Sequence, residues 1–332
     1  MRSDRTAGPP EAGGVISESA RHRPPPALRP LVVWYSGYRQ AGLSPARHRG
    51  LPSPYLTLIV TLDEPLAMAA HPSPRQPASR HDVLIGGLHT SPALITHDGS
   101  QSGIQLSVTP LGARALLGVP AGELAGIDLD GADVLGALAS ELQERVQGAA
   151  TWPARFAVLD ELLSRQAQDR RMGLGPGSGI PGPMRPMRRE VAYAWQALLA
   201  TRGGASISEL ARETGWSSRH LGARFRAETG LSPKGAARVV RFDRARRLLQ
   251  RRAASGEAPA LADLAATCGY YDQAHLAREF RDLAGCPPSR WLAEERPALA
   301  RSAAALPPGR WLAGQFRNVQ AAPPVTGEGS RA

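Results

Sequence analysis

The sequence predicts an α+β chain in which a β-rich front domain with helices, cupin-like or a small barrel, precedes an all-α domain of two helix-turn-helix subdomains. Three observations carry that expectation. Between Leu31 and Val108 the apolar residues fall in short alternating or strand-length runs. After Pro110 they change to the helical period, and between Ile207 and Pro288 one helical pattern occurs twice.

In chain order, residues 1–29 are rich in Pro, Gly, Ser and charge, and are expected to form a disordered lead, because they bury too little apolar surface to offset the entropy of ordering. Strands are expected in LVVWYSGY, YLTLIVTL, HDVLIGGL, ALITH and GIQLSV, which Pro- and Gly-containing turns separate into a small antiparallel barrel or sandwich. Helices follow in LGARALLG, around Leu135 to Val146 and from Phe156 to Leu163, closing a front domain over residues 30–172. The stretch GLGPGSGIPGPMRP, residues 173–186, excludes helix and central strand and reads as a linker. Residues 187–296 are helical. Residues 297–332 form a low-complexity tail with one apolar cluster, GRWLAGQFRNVQ.

A formal net charge of +11 over 332 residues points to a polyanionic partner, with nucleic acid first. The positive charge is almost wholly arginine, Lys234 being the only lysine. Arginine's planar fork suits guanine and phosphate, but an Ala-, Gly- and Pro-rich coding bias gives the same skew, so the placement of the arginines has to decide. Only Cys268 and Cys286 are present, which excludes a disulfide framework and fits a reducing cytoplasm. No apolar run approaches the ~20 residues of a membrane span, and the N-terminus lacks an apolar signal core. The expected location is therefore cytoplasmic, without membrane contact.

The repeat carries the functional information. Its first copy, ISELARETGWSSRHLGARFRAETGLSP, runs from Ile207 to Pro233, and its second, LADLAATCGYYDQAHLAREFRDLAGCPP, from Leu261 to Pro288. Leu210 and Leu264 are 54 apart but Phe225 and Phe280 are 55 apart, so one extra residue has entered at the second turn. Each copy has helix-turn-helix physics. In the first, Ser206 with Glu209 makes a capping-box pattern, Ile207 and Leu210 face inward, Ala211 permits close helix approach and Gly215 supplies the turn. Ser217 then caps a second helix whose Leu221 and Phe225 share one face. The second copy repeats this with Leu264, Ala265, Gly269, the cap Asp272, Leu276 and Phe280. Both end in Gly then Pro, at Gly230 and Pro233 and at Gly285 and Pro288. One such unit could be a plain helical hairpin; two at matched spacing, studded with arginine, favour DNA. Ser218, Arg219, His220 and Gln273, Ala274, His275 are left facing outward where a recognition helix meets base edges.

Over its last third the chain resembles the AraC/XylS-type regulators. The most specific match is GYYDQAHLAREFRDLAGCPPSRW, which follows that family's order of Gly-aromatic, acidic cap, Leu or Phe, Phe with a basic residue, Gly and Pro. Pro287, for the usual Ser or Thr, and Trp291, for the usual Tyr or Phe, depart from it. The resemblance implies two helix-turn-helix subdomains joined by a long helix, here about Pro233 to Arg251, with Ala237, Ala245, Leu248 and Leu249 on one arc and a partnered, structural Arg241 among them. By motif position it implies base reading by Arg219 and Ala223 in the first recognition helix and by Gln273 and Arg278 in the second, and His220 and His275 are counted with them as base-reading residues. Ala223 replaces a usual long polar side chain, so the first helix is expected to read fewer bases. Ser218, Arg224, Arg226 and Arg281 are the phosphate candidates.

For the front domain the resemblance is confined to ARHRGLPSPYLTLIV and TPLGARALLG, similar to N-terminal domains of uncharacterised relatives that sense or dimerise. The implied partners are double-stranded DNA, a small-molecule effector, RNA polymerase and a second copy through the front domain; no cofactor is expected. His81, His89 and His97 invite a metal reading, but their spacing of eight brings no ligand set together, and no metal is expected. An enzymatic front domain is the competing reading. It lacks an evident nucleophile–base pair, so no enzyme and no catalytic residue is expected. A methyl-accepting repair role lacks a cysteine outside residues 268 and 286. An architectural DNA-binding role is disfavoured by the outward-facing Arg219 and Gln273.

Overall fold

The structure, a computed structural model, describes residues 15–173, 186–257 and 260–295. Among the described residues ten strands make two antiparallel sheets. The six-stranded sheet runs in the order β1 (Ile16–His22), β2 (Val32–Ala41), β9 (Gln101–Val108), β4 (Leu56–Thr61), β7 (Val83–Gly86), β10 (Asp128–Asp130). The four-stranded sheet runs β3 (Ala46–Gly50), β8 (Ala93–His97), β5 (Leu66–Ala70), β6 (Ser79–His81). β4 explains why YLTLIVTL is apolar at both parities. Leu56, Leu58 and Val60 enter the main core, while Ile59 enters a smaller one with Leu66, Met68, Leu84, Ala93 and Ile95. At β4 the larger sheet is thus buried on both faces, and that strand cannot alternate apolar with polar.

α1 (Pro110–Gly112) and a π-helical turn at Ala113–Leu117 follow β9, then a 3-10 turn at Ala121–Leu124 and α2 (Gly131–Leu135). α3 (Ala137–Gly148) and α4 (Trp152–Arg171) form a hairpin whose Leu138, Leu142, Val146, Phe156, Leu159 and Leu163 extend the main core.

Residues 15–29 correct the expectation of a disordered lead. β1 pairs with β2 along its whole length, from Ile16↔Ala41 to His22↔Tyr35. His22 stacks on Tyr35 and Phe156 and its Nε2 lies 2.8 Å from Asp160. Those partners stand up to 138 residues away and are polar or aromatic, so a local count of apolar residues misses them. Residues 1–14, residues 174–185 of the expected linker, residue 296 and the expected tail, residues 297–332, lie outside the described residues. Sequence runs also missed β3, β5, β6 and β10, which are three to five residues long.

The histidines serve hydrogen bonding. His81 contacts Ser79 and Asp130, at 2.7 and 3.1 Å, and His71, which the sequence reading passed over, contacts Asp128 and Ser79 at 2.8 and 2.9 Å. His89 Nδ1 lies 2.5 Å from the Ser91 carbonyl, and His97 Nδ1 accepts from Gly99.

The C-terminal region is helical: α5 (Arg189–Ala200), α6 (Ile207–Glu213), α7 (Ser218–Thr229), α8 (Pro233–Ala254), α9 (Leu261–Thr267), α10 (Gln273–Ala284) and α11 (288–295). α6 with α7 and α9 with α10 are the two helix-turn-helix units, joined by α8. Trp195 of α5 meets Phe225, and Phe242 of α8 meets Phe280, with ring centroids 5.8 and 4.9 Å apart. Trp291, one of the two departures from the family pattern, is buried against Phe280 and closes the second unit. Cys268 and Cys286 are free and buried, and burial pushes both thiols up. Among the described residues no helix is long and apolar enough to cross a membrane.

The front domain touches both units. Arg114 forks onto Glu228 of α7, with Nε–Oε2 at 2.7 Å and Nη2–Oε1 at 2.9 Å. Arg247 of α8 lies 4.5 Å over the Trp34 ring, and Arg49 pairs with Glu294 of α11.

Candidate nucleic-acid interface

Helices α6, α7, α8 and α10 each begin on a side-chain cap. Ser206 accepts from the Glu209 amide at 3.4 Å, Ser217 from His220 at 3.2 Å, Ser232 from Gly235 at 3.0 Å and Asp272 from His275 at 2.6 Å. α7 and α10 both stop at a left-handed glycine, Gly230 (φ 79°) and Gly285 (φ 72°), a conformation that only glycine adopts freely. α9 has no side-chain cap.

With its apolar side turned inward on Leu221, Phe225 and Thr229, α7 leaves Arg219, Ala223 and Arg226 exposed along one stripe at i, i+4 and i+7. α10 buries Leu276, Glu279, Phe280 and Leu283 and exposes Ala274, Arg278 and Arg281 at the same three positions, each 55 residues on. The two stripes therefore read Arg–Ala–Arg and Ala–Arg–Arg. Ser218 and Gln273 stand exposed at the first position of each helix, and Arg224 is exposed on the flank of α7. Among the described residues the side chains of Arg219, Arg224, Arg226, Arg278 and Arg281 make no ion pair or hydrogen bond. Most other arginines of the region are engaged: Arg238 with Glu279 and Asp282, Arg246 and Arg247 with Asp243.

The two histidines sit differently from each other. His220 is exposed, its ring set edge-on to Trp216 at 4.6 Å. His275 is half-buried: its ring is edge-on to Tyr270 at 5.3 Å, Nδ1 accepts from the Tyr271 amide at 3.4 Å, and Nε2 lies 3.9 Å from Glu279.

Sequence reasoning passed over Glu279. It is buried at 5% exposure and gathers Arg238 at 2.9 Å and Arg241 at 3.6 Å, tying α10 to α8. Arg241 also donates to the Gly203 carbonyl at 3.1 Å and lies over the Tyr270 ring, which is the structural role expected of it. Burial, and then the Glu279 charge, push the Tyr270 phenol far above its ordinary range. A lone Glu in an arginine-rich helix, on the parity of the buried residues, was the available signal.

Residues 189–294 match the family model of a helix-turn-helix domain, and residues 20–130 match a domain of unknown function. No curated protein matches the chain. Among solved structures, ToxT from Vibrio cholerae O395 is 8% identical with a TM-score of 0.45, over 84% of this chain and 97% of that one. The C-terminal domain of AraT, a response regulator from Geobacillus stearothermophilus, is 18% identical with a TM-score of 0.29, over 34% and 87%. The DNA-binding domain of the global transcriptional factor AdpA, solved with a target DNA, is 24% identical with a TM-score of 0.29, over 33% and 95%.

Proposed function

We infer, from the premise that residues 189–294 are a helix-turn-helix domain of the AraC/XylS type, that the chain is a sequence-specific DNA-binding transcription regulator. One observation carries the inference: two capped helices present equivalent stripes of exposed arginines that have no partner inside the protein. Half-buried Arg238, Arg241, Arg246 and Arg247 of the same region are paired with carboxylates, whereas the arginines of the two stripes are left to solvent.

A recognition helix meets base edges with its N-terminal residues and departs toward the backbone further along. On that geometry Arg219, and Gln273 with Arg278, read bases, and His220 stands beside Arg219. Ala223 offers only a methyl group, leaving the first helix the shorter reading surface. Arg226 and Arg281, in the third turn, with Ser218 and Arg224, contact phosphate. His275 is given to the turn, holding Tyr270 and Glu279. Because the stripes differ in order, the two half-elements differ, and tandem units have no two-fold axis between them to make a palindrome.

The family model that matches the C-terminal region is a helix-turn-helix domain and not an enzyme. The front domain serves as the regulatory part, and a small polar effector has a place there. A cavity of about 320 Å3 is lined by Tyr38, Thr61, Thr96, Gln101 and Ser102 among others, and the buried Thr61 hydroxyl has no partner. A homodimer through that domain and a contact with RNA polymerase rest on the resemblance alone.

Selection of bound DNA from a random pool by the full chain tests the reading. The expected product is a non-palindromic site with two unlike elements about 34–36 Å apart, one helical turn. On it, Gln273→Ala and Arg278→Ala should each lose about 1–3 kcal/mol and relax discrimination, whereas Arg226→Ala should weaken all sequences alike. No enrichment, or a symmetric palindrome, counts against the assignment.

A further inference from the structure

We propose that Tyr271 is a specificity-determining contact that packs against a thymine methyl group in the second half-element. The inference rests on the DNA-binding reading above and adds a residue to it. Up to the turn the two units correspond at an offset of 54, Gly215 with Gly269 and Trp216 with Tyr270. From the cap onward the offset is 55, Ser217 with Asp272 and His220 with His275. The ring packing verifies the alignment, since Trp216 on His220 and Tyr270 on His275 are both edge-on, at 89° and 88°. The extra residue of the second unit is therefore Tyr271.

The cap beside the extra residue is intact. Asp272 Oδ1 accepts from the His275 amide at 2.6 Å, and the Tyr271 amide donates to His275 Nδ1 at 3.4 Å. The backbone of the extra residue is held while its side chain is left outside. Tyr271 is 94% exposed, the greatest exposure of any large hydrophobic side chain among the described residues. Tyr193, the other markedly exposed tyrosine, donates its hydroxyl to Glu213; Tyr271 makes no side-chain hydrogen bond. An aromatic ring carries a large apolar surface, and covering it in the working state is favourable.

Its place says what covers it. Tyr271 immediately precedes the N-cap of α10, two residues before Gln273, at the end of a recognition helix that meets base edges in the major groove. In that groove the apolar feature presented by a base is the C5-methyl of thymine. Gln273 and Arg278 supply hydrogen bonds, and Tyr271 supplies the complementary apolar surface. The first unit, lacking the extra residue, has no equivalent, which further separates the two half-elements.

The test uses the full chain, the selected site, and versions of that site in which each thymine of the second element is replaced singly by deoxyuridine, which lacks only the methyl. Wild type should lose about fourfold in affinity at one thymine, the value of one buried methyl-sized group. Tyr271→Phe should keep that discrimination. Tyr271→Ala should bind the thymine site more weakly and be indifferent to deoxyuridine at that position. The inference is overturned if Tyr271→Ala keeps full affinity and discrimination, or if it weakens specific and random DNA equally, the mark of a phosphate contact. Gln273→Ala and Arg278→Ala measured on the same site separate the failures: if they relax discrimination while Tyr271→Ala does not, only the tyrosine assignment falls, and if wild type prefers no site, the underlying reading falls with it.

Discussion

Gly122→Ala is the smallest perturbation that separates the front domain from the first helix-turn-helix unit. Gly122 lies in the 3-10 turn Ala121–Leu124, and a methyl group there would come 2.3 Å from the Ala227 carbonyl oxygen of α7 and 3.0 Å from its carbon. Both are backbone atoms, so no side chain can rotate away. Relief to an ordinary contact requires the surfaces to part by about 1 Å, which pulls the Arg114–Glu228 fork out of register as well. Overpacking of this kind costs about 1–3 kcal/mol. At about 2 kcal/mol the docked state loses roughly thirtyfold against the undocked one. Differential scanning calorimetry of the full chain reads the effect. Wild type should unfold with the two parts coupled, and Gly122→Ala should bring the C-terminal part out earlier, by roughly 5–10 °C for a domain of about a hundred residues. Gly148→Ala is the control. Gly148 ends α3 with nothing within 4 Å of an added methyl, so the change should be neutral or stabilising by up to about 1 kcal/mol. An unchanged melting profile for Gly122→Ala would refute the reasoning, because it would mean that the turn and α7 are not in contact in solution.

Two further outcomes follow from single side chains. Burial, reinforced by the neighbouring His97, pulls His48 down to about 4, so the folded protein resists a proton that the unfolded chain accepts from about pH 6.5 downward. Stability from this residue is complete above about pH 6.5, is lost between there and about pH 4, and changes no further below; allowing for partial exposure, the loss is about 2 kcal/mol. Chemical denaturation at several pH values should show that slope in wild type and a shallower one in His48→Gln; equal slopes would exclude His48 as the source. Glu279→Ala removes the carboxylate shared by Arg238 and Arg241, leaving two guanidinium groups without that partner at the α8–α10 contact, and should cost about 3 kcal/mol at neutral pH, with Glu279→Gln intermediate. Urea midpoints check both, and a neutral Glu279→Ala would show that the cluster is solvated.

The legible parts of this chain are those whose determinants lie close together in sequence. Caps, turns and buried faces of the two units recur within a few residues of one another, and Ser217, Asp272, Leu221, Phe225, Leu276 and Phe280 take the places that their spacing implies. β1 was illegible because its partners, Tyr35 and Asp160, are remote, and β3, β5 and β6 because strands of three to five residues hold too few alternations to show a period. The proposed reading face shows the same division on a finer scale. Arg219 and Arg278 emerge exposed because their neighbours at helical spacing are apolar and turn inward, a local pattern. His275 belongs to the same outward-looking triplet by sequence, but Tyr270 and Glu279 draw it half inside; Glu279 in turn is buried because Arg238 and Arg241 reach it from α8. Tyr271 was present in the sequence only as arithmetic, an offset of 54 that became 55. The structure gives that one-residue difference a location and a side chain. The cap is kept and the ring is left in solvent, so the fold makes no use of the aromatic there, and the proposed thymine contact is what would give it one.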